Sequence, residues 1–529
     1  MSASNEEIRP LFLSDYSFNP FLLEADDPEL DLCQFMDTDD SFELPGHQML
    51  CLEEEPTNSF IQTFPINGEI INSDMMSGQL EFFSEPENFK TMIDNSSAGA
   101  QFCNKMLPNW SDQIMKFQGA AAVGTCVDDD LDCEGTVHGD EEEKLELVQL
   151  FLAAGQMIGN DEYDQASLLV SKCKQLSSQL GSPTQRVVYY ISDALQQKIR
   201  RNTLGIVDNA SKPVSDFAFN INGELDKNEF CSLVAYYTRI LPHIKVLQFT
   251  SVQATIDAVG SARKIHIIDL GMRTGSQWTV LMEFLAHRAA AGSSSRLQIL
   301  KMTAVGMNGQ ELRKSGRRLY ELAKSLDIPF AYKIVEIKSL EDIKKGLFSV
   351  RSGEALAVYA PIVLRSLLYD PVILVNILCA IRKLRPRIMV TVEIEARHNS
   401  PSFVKRLSEV LYQYSAFFDL LDSIFPDRND VKRVKHEELI DGNQIRNMIV
   451  YEGDERTVRH VTIDVWRSFF TQAGFKEMIF SFQALYQAKL LLTEYATGHY
   501  YTLEPVEHAL TVGWKGTPLF ALSGWSGNK

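Results

Sequence analysis

The chain has 529 residues, 45% of them hydrophobic, with 51 Lys/Arg against 70 Asp/Glu and a net charge of −19. That is ample apolar material for a large core, yet there is no uncharged apolar run long enough to span a bilayer, and Met1–Glu7 carries neither the basic patch nor the apolar core of an export signal. The eight cysteines are scattered without a Cys-x-x-Cys pair, which argues against a disulfide framework and a structural zinc site and fits a reducing compartment.

The charge is unevenly divided. Residues 1–143 hold 31 Asp/Glu and 4 Lys/Arg, a balance of −27, whereas residues 144–529 hold 39 and 47, a balance of +8. In the first stretch carboxylates alternate with Phe, Leu and Met, as in Phe18 to Leu32 and Leu80 to Pro86. Self-repulsion opposes collapse, so a disordered acidic arm is expected, either of the kind found in transcription-activating segments, whose composition it has, or a solubilising tail with no partner. Asp128–Glu134 and Asp140–Glu143 close it.

Helical periodicity then begins, with Leu147, Leu150, Phe151, Ala154 and Ile158 on one face and Leu168, Leu169, Cys173, Leu176 and Leu180 continuing it. Ser182-Pro-Thr-Gln185 predicts a capping box with proline at the first helical position, opening a helix through Val187, Ile191, Leu195 and Ile199. Residues 144–262 therefore read as an all-helical bundle. Leu147, Leu150, Phe151 and Ala154 are its candidate partner-binding residues, either on its surface or supporting it.

Residues 263–529 read as a Rossmann-like, methyltransferase-like body in which strands and helices alternate as a doubly wound parallel sheet requires. The run Lys264-Ile-His-Ile-Ile-Asp269 is apolar enough for a strand covered on both faces. Strands follow at 297–305, 330–335, 355–359 and 388–394, with helices through Leu312–Leu322, Val372–Leu384, 402–422 and 461–473. Short β segments are expected around Ile479–Phe482, Tyr500–Leu503 and Ala509–Trp514.

The turn after the first strand carries the candidate pocket: Asp269, Gly271, Arg273 and Gly275. A methyltransferase using adenosyl methionine reads Asp-x-Gly-x-Gly-x-Gly here, its glycines letting backbone approach cofactor. Arg273 replaces the middle glycine, and its side chain is expected to crowd that space. The second strand leads into Gly306-Met-Asn308 with no carboxylate for ribose hydroxyls. The pocket is thus read as vestigial and no cofactor is expected.

Several ordered segments between about residues 144 and 526 resemble the plant GRAS proteins, also called scarecrow-like. Leu147-Val-Gln-Leu-Phe-Leu-Ala-Ala-Gly155 and Ser182–Tyr190 are similar to the first leucine-rich region; Ile265–Asp269 with Gly275, Gln277 and Trp278 is similar to the central motif. Thr391–Pro401, Phe403, Arg406, Tyr414 and Phe417–Leu421 resemble the region before and through Pro-Phe-Tyr-Arg-Glu. Glu452–Arg456, Arg459, His460, Trp466, Arg467, Ala473–Phe475, Gln487–Leu492, Gly513–Lys515 and Ser523–Trp525 resemble the C-terminal region. There are departures. The usual final Ser-Ala-Trp is Ser523-Gly524-Trp525, and the second leucine-rich region reads Val358-Tyr-Ala-Pro-Ile-Val-Leu-Arg365, whose proline and arginine are expected to alter a partner surface. The arm also lacks the Asp-Glu-Leu-Leu-Ala and Val-His-Tyr-Asn-Pro motifs, which sets the chain outside the DELLA-motif branch.

The resemblance implies a nuclear regulator of transcription that is not an enzyme, binding DNA-binding transcription factors and other GRAS-type proteins as hetero- or homodimer, and DNA only indirectly. The alternatives are a small-molecule methyltransferase and a small-ligand sensor. The residues themselves offer no catalytic set: serine-hydrolase elbow, phosphate loop and His-Glu-x-x-His are absent, and the histidines show no metal-ligand spacing. His266, inside an apolar strand, is read as a satisfied core histidine. Glu393 and Glu395 share one strand face and are expected to pair with Arg397 or another arginine. Glu452, Asp454, Glu455, Arg456 and Arg459 read as a structural charge network. Lys314/Arg317/Arg318, Arg382/Lys383/Arg385/Arg387 and Lys432/Arg433/Lys435 read as solvated faces or weak import signals.

Overall fold

The computed structural model describes residues 137–205, 227–290 and 296–527. The acidic arm up to residue 136 lies outside them. The first helix, α1, runs Val137–Gly159, starting ahead of the apolar periodicity and taking in Asp140–Glu143. Carboxylates suit the positive end of a helix dipole.

α2 (Tyr163–Leu176) and α3 (Pro183–Leu204) complete a helical layer. The capping box is as expected: Ser182 Oγ accepts from Gln185 N–H and the Gln185 side chain accepts from Ser182 N–H. α4 (Lys227–Ile240) and α5 (Pro242–Val259) follow. Residue 262 does not separate two packing units, because Leu233, Tyr237, Val246, Leu247 and Val252 of α4 and α5 pack in the core of the sheet. α5 is apolar on most of its circumference, and such a helix is buried on several sides.

β1 (Lys264–Asp269), α6 (Trp278–Ala290), β2 (Ile299–Gly306), α7 (Gly309–Ser325), β3 (Phe330–Glu336), β4 (Ala355–Pro361), α8 (Pro371–Arg382) and β5 (Ile388–Ile394) form the doubly wound unit. α9 (Phe403–Ile424), α10 (Val431–His436), a π-helical turn (Glu437–Gly442), α11 (Asn443–Val450), α12 (Ile463–Gln472), β6 (Lys476–Met478), α13 (Phe482–Thr493), β7 (Tyr501–Val506), β8 (Ala509–Trp514) and β9 (Thr517–Ser526) complete the chain. The nine-stranded sheet has the order β3-β2-β1-β4-β5-β9-β8-β7, with β6 on β9. β1 to β5 are parallel; β9 runs antiparallel to β5, β6 and β8. This is the expected Rossmann-like class.

One local expectation changes, and one segment without a stated expectation takes shape. The strand near residue 479 is β6, which ends at Met478, and Phe482 starts helix α13, N-capped by Ser481. The segment 431–450, without a strong period, is helical throughout.

α1 and α3 pack on α9, α3 also packs on α11, and α2 packs on α1 and α3. Leu147, Phe151 and Ala154 are fully buried in that cluster with Leu407, Val410, Phe418 and Met448, and Leu150 packs half-buried against it. These four candidates therefore support the bundle from inside. Among the described residues no helix is long and apolar enough to cross a membrane.

Candidate functional site

In an open parallel sheet, ligands sit beyond the carboxyl ends of the strands, where the strand order reverses. Here that point lies between β1 and β4, which are hydrogen-bonded neighbours. β1 delivers Asp269, fully buried. Its Oδ1 accepts from Gly271 N–H at 3.0 Å, and its Oδ2 accepts from Gln277 Nε2 at 3.1 Å and Trp278 Nε1 at 2.8 Å. Burial pushes its carboxyl up to about 6, against those three bonds and the charge of Arg273. Both oxygens are engaged by the turn that follows.

The glycines of the turn are closed in by side chains. A Cβ on Gly271 would stand 2.8 Å from Val363 Cγ1 and 3.3 Å from Pro361 Cγ, at the end of β4. Gly275 has φ +71°, and a Cβ there would meet Leu319 Cδ1 at 3.0 Å and Met272 Sδ at 3.2 Å. Arg273 is exposed, and its carbonyl accepts from Ser315 Oγ of α7. The crowding expected from the Arg273 side chain thus comes from Pro361, Val363, Met272 and Leu319. At the end of β2, Asn308 caps α7 by accepting from Gln310 and Glu311 N–H.

β4 and β5 deliver a second buried group. Arg365 Nη1 lies 2.6 Å from His460 Nε2, and His460 Nδ1 lies 2.8 Å from His398 Nδ1. Arginine only donates, so His460 Nε2 accepts, Nδ1 carries the proton, and His398 Nδ1 accepts it. Burial pulls the His398 imidazole down to about 4, helped by Arg406 and Arg456; burial and the Arg365 charge push His460 well below its ordinary value. Both rings are held neutral. Arg365, one of the departures in the second leucine-rich region, is therefore buried and does not alter an exposed partner surface. Pro361 packs on Gly271.

Glu393 and Glu395 do share a strand face, but backbone N–H groups engage them. Glu393 Oε1 accepts from Leu364 N at 3.1 Å, and Glu395 Oε2 accepts from Ile463 N, the first residue of α12, at 2.8 Å. Burial raises Glu395 to about 7; the Ile463 bond and the charges of Arg397 and Arg467 oppose this, while Asp464 adds to it. The loop after α11 is the expected charge network, tying the helical layer to the body. Glu452 takes Lys198 of α3 at 2.9 Å and also Arg406 of α9, and Arg459 Nη1 donates to Asn399 Oδ1 at 2.7 Å. His266 is a satisfied core residue, with Nδ1 3.1 Å from Glu354 and Nε2 2.8 Å from Thr303. Arg433 is fully buried on Glu437, so of the third basic cluster only Lys432, exposed, and Lys435, half-buried, lie at the surface. Among the described residues no group of His, Cys, Asp and Glu has metal-holding geometry.

A family model described as the GRAS domain family matches residues 147–526. The chain belongs to that family. Its relatives include DELLA protein RGL1 of Arabidopsis thaliana, 32% identical over 390 residues that cover 74% of this chain and 71% of that one. DELLA protein GAI1 of Vitis vinifera is 30% identical, over 73% of this chain and 62% of its own length, so the chain spans less than two thirds of that relative. Among solved structures, the crystal structure of SCL7 in Oryza sativa superposes with a TM-score of 0.62 at 25% identity, covering 72% of this chain and 99% of that one.

Sequence reasoning on this GRAS chain located Asp269 and its turn but missed the Arg365–His460–His398 relay. Its members lie far apart in sequence and share no motif spacing. The one available signal was that Arg365 stands where the family pattern differs.

Proposed function

We propose that this protein is a nuclear transcriptional regulator acting by association. In this reading the helical layer and Rossmann-like body bind DNA-binding transcription factors or other GRAS proteins, DNA is contacted only through them, and the acidic arm recruits transcription machinery. The observation that carries it is the packed carboxyl edge. Asp269 is engaged by Gly271, Gln277 and Trp278, and Pro361 and Val363 stand over the glycine turn, where adenosyl methionine would need open backbone. Family membership supports the same reading.

Two measurements test it. Adenosyl methionine titrated into the full chain is expected to give neither saturable heat nor thermal stabilisation; micromolar binding would move the assignment to the methyltransferase alternative. The full chain fused to a heterologous DNA-binding domain is expected to change reporter transcription, with the change lost when the arm's Phe and Leu residues are replaced by Ser. No change from the parent fusion would remove the regulatory role.

A further inference from the structure

The edge of the sheet opposite the candidate site carries a composite surface that the reading above does not use. There the amino ends of the parallel strands meet the end of α5, and five basic residues gather: Arg263, Lys264, Arg288, Arg296 and Arg387. Arg288 donates to the carbonyls of Gly260 and, at 3.2 Å, Ala262; Arg387 donates to Ala258 O at 3.4 Å; and Arg263 O accepts from Gln298 N at 2.7 Å. Arg288 and Arg387 are thereby held on residues 258–262, next to Arg263 and Lys264 in the same segment, and Arg296 lies two residues before Gln298, which the Arg263 carbonyl holds. None of them forms an ion pair among the described residues.

An exposed apolar patch adjoins it. Ile479, Phe482 and Tyr486 are 72%, 81% and 51% exposed, and the two rings stack at 6.0 Å between centroids. Ser481 Oγ holds this patch to Asp257, one residue before Ala258, at 2.7 Å. Gln253 also bonds Asp257, the acid within the surface. Lys489 lies on the same face of α13, three residues beyond Tyr486, and is exposed. Exposed aromatics of this size beside unpaired cations mark an interaction surface.

We infer that this surface docks the chain's own acidic–aromatic segment Leu80-Glu-Phe-Phe-Ser-Glu85. The complementarity is in kind as well as sign: Phe82 and Phe83 match Phe482 and Tyr486, and Glu81 and Glu85 match the basic rim. The arm carries −27 against +8 on the remainder. Tethering favours it over a free partner, and of the two acidic–aromatic segments the one nearer the body is favoured, because effective concentration falls with tether length. The roughly 50 residues between Glu85 and Val137 can span up to about 3.3 Å each, far enough to reach any face of the body. Docking hides Phe82 and Phe83, so the surface acts as a restraint on the arm; the inference stands independently of what the arm recruits.

Carbodiimide cross-linking of the full chain, read by mass spectrometry, tests this. Zero-length links from Glu81 and Glu85 to Lys264 and Lys489 are expected at low ionic strength. They should fall at least several-fold at about 1 M salt, where charges are screened beyond about 3 Å, and likewise in Arg263→Glu/Arg387→Glu and, separately, in Phe482→Ser/Tyr486→Ser. Because these side chains lie at the surface, unchanged circular dichroism is expected of every variant. Links spread evenly over remote lysines such as Lys172 and Lys324, links preferring other arm segments, or links unmoved by both variants would overturn the inference. So would links only between labelled and unlabelled copies, which assign the surface to a second chain. A duplex DNA probe bound through Arg263 and Arg387 in place of the arm links would assign it to nucleic-acid phosphates instead.

Discussion

Two glycines that look alike in sequence have opposite roles. Gly271 has Val363 at 2.8 Å from the place of a Cβ, whereas at Gly524 the nearest atoms, of Phe480, Ile388 and Met478, stand at 3.5, 3.6 and 3.7 Å. Gly524→Ala, which restores the usual Ser-Ala-Trp, is expected to be neutral or to stabilise by about 0.4–1 kcal/mol through loss of unfolded-chain freedom. Gly271→Ala is expected to cost about 1–3 kcal/mol by overpacking and to be largely rescued by Val363→Ala; urea denaturation of the four chains and the double variant reads both. Glu395 provides a pH test. Its pKa in the folded chain, about 7 against an ordinary 4.5, means the folded state holds the proton more tightly, so ionisation costs stability as pH rises through that window. Glu395→Gln keeps an acceptor for Ile463 N and cannot ionise. Relative to the parent it should gain about 2 kcal/mol between pH 5 and pH 8, allowing for partial screening, measured as the difference in denaturation free energy; no pH-dependent gain would contradict the assignment.

At the scale of elements, the helical layer is clamped by buried charge. Arg186 of α3 donates Nε to Glu437 at 3.1 Å, Nη1 to Asp422 at 2.7 Å and Nη2 to Phe418 O at 3.0 Å, and Arg433 donates to the other Glu437 oxygen at 2.6 Å. Glu437 sits at the start of the π-helical turn. Arg186→Met leaves a buried carboxylate with half its partners and is expected to cost about 3–5 kcal/mol. Arg186→Met/Glu437→Gln should cost less than the sum of the single changes. The clamp also explains what was legible in the sequence. Apolar period and capping chemistry revealed the start of α3 and both ends of β1 and β5 almost to the residue, because a local rule decides them, while α3 runs on to Leu204, past the last apolar residue read, Ile199. The segment 431–450 goes unread in the sequence: Glu437 in its middle is held by Arg186, about 250 residues upstream, and no local pattern records that partner. The same holds at the site. The Asp269 turn was readable as a motif, whereas its closure by Pro361 and Val363 depends on which strand lies beside β1.

For the whole molecule, α9 decides how many pieces unfold. Leu407, Val410 and Phe418 lie in the helical core, while Leu420 and Leu421 of the same helix lie in the core of the sheet. One rigid element shared by both cores predicts a single transition for the described body. Trp278, Trp466, Trp514 and Trp525 are all buried in the sheet layers and none lies in α1 to α3. Phe151→Ala, in the helical core, is therefore expected to cost about 3–5 kcal/mol and to shift the tryptophan fluorescence transition together with the far-ultraviolet one. A tryptophan transition that stays put would mean the layers melt separately. The position of β9 has a further consequence, for synthesis. β5 finds its second neighbour only in β9, about 120 residues later in the chain. At about 5–20 residues per second of translation, an apolar parallel strand stands with an open edge for several seconds on every ribosome. A stop codon at or shortly before Phe520 removes every β9 partner of β5, Phe520 to Trp525, and would leave that edge open for good, so such late truncations should yield insoluble protein where their position in the gene suggests a minor loss.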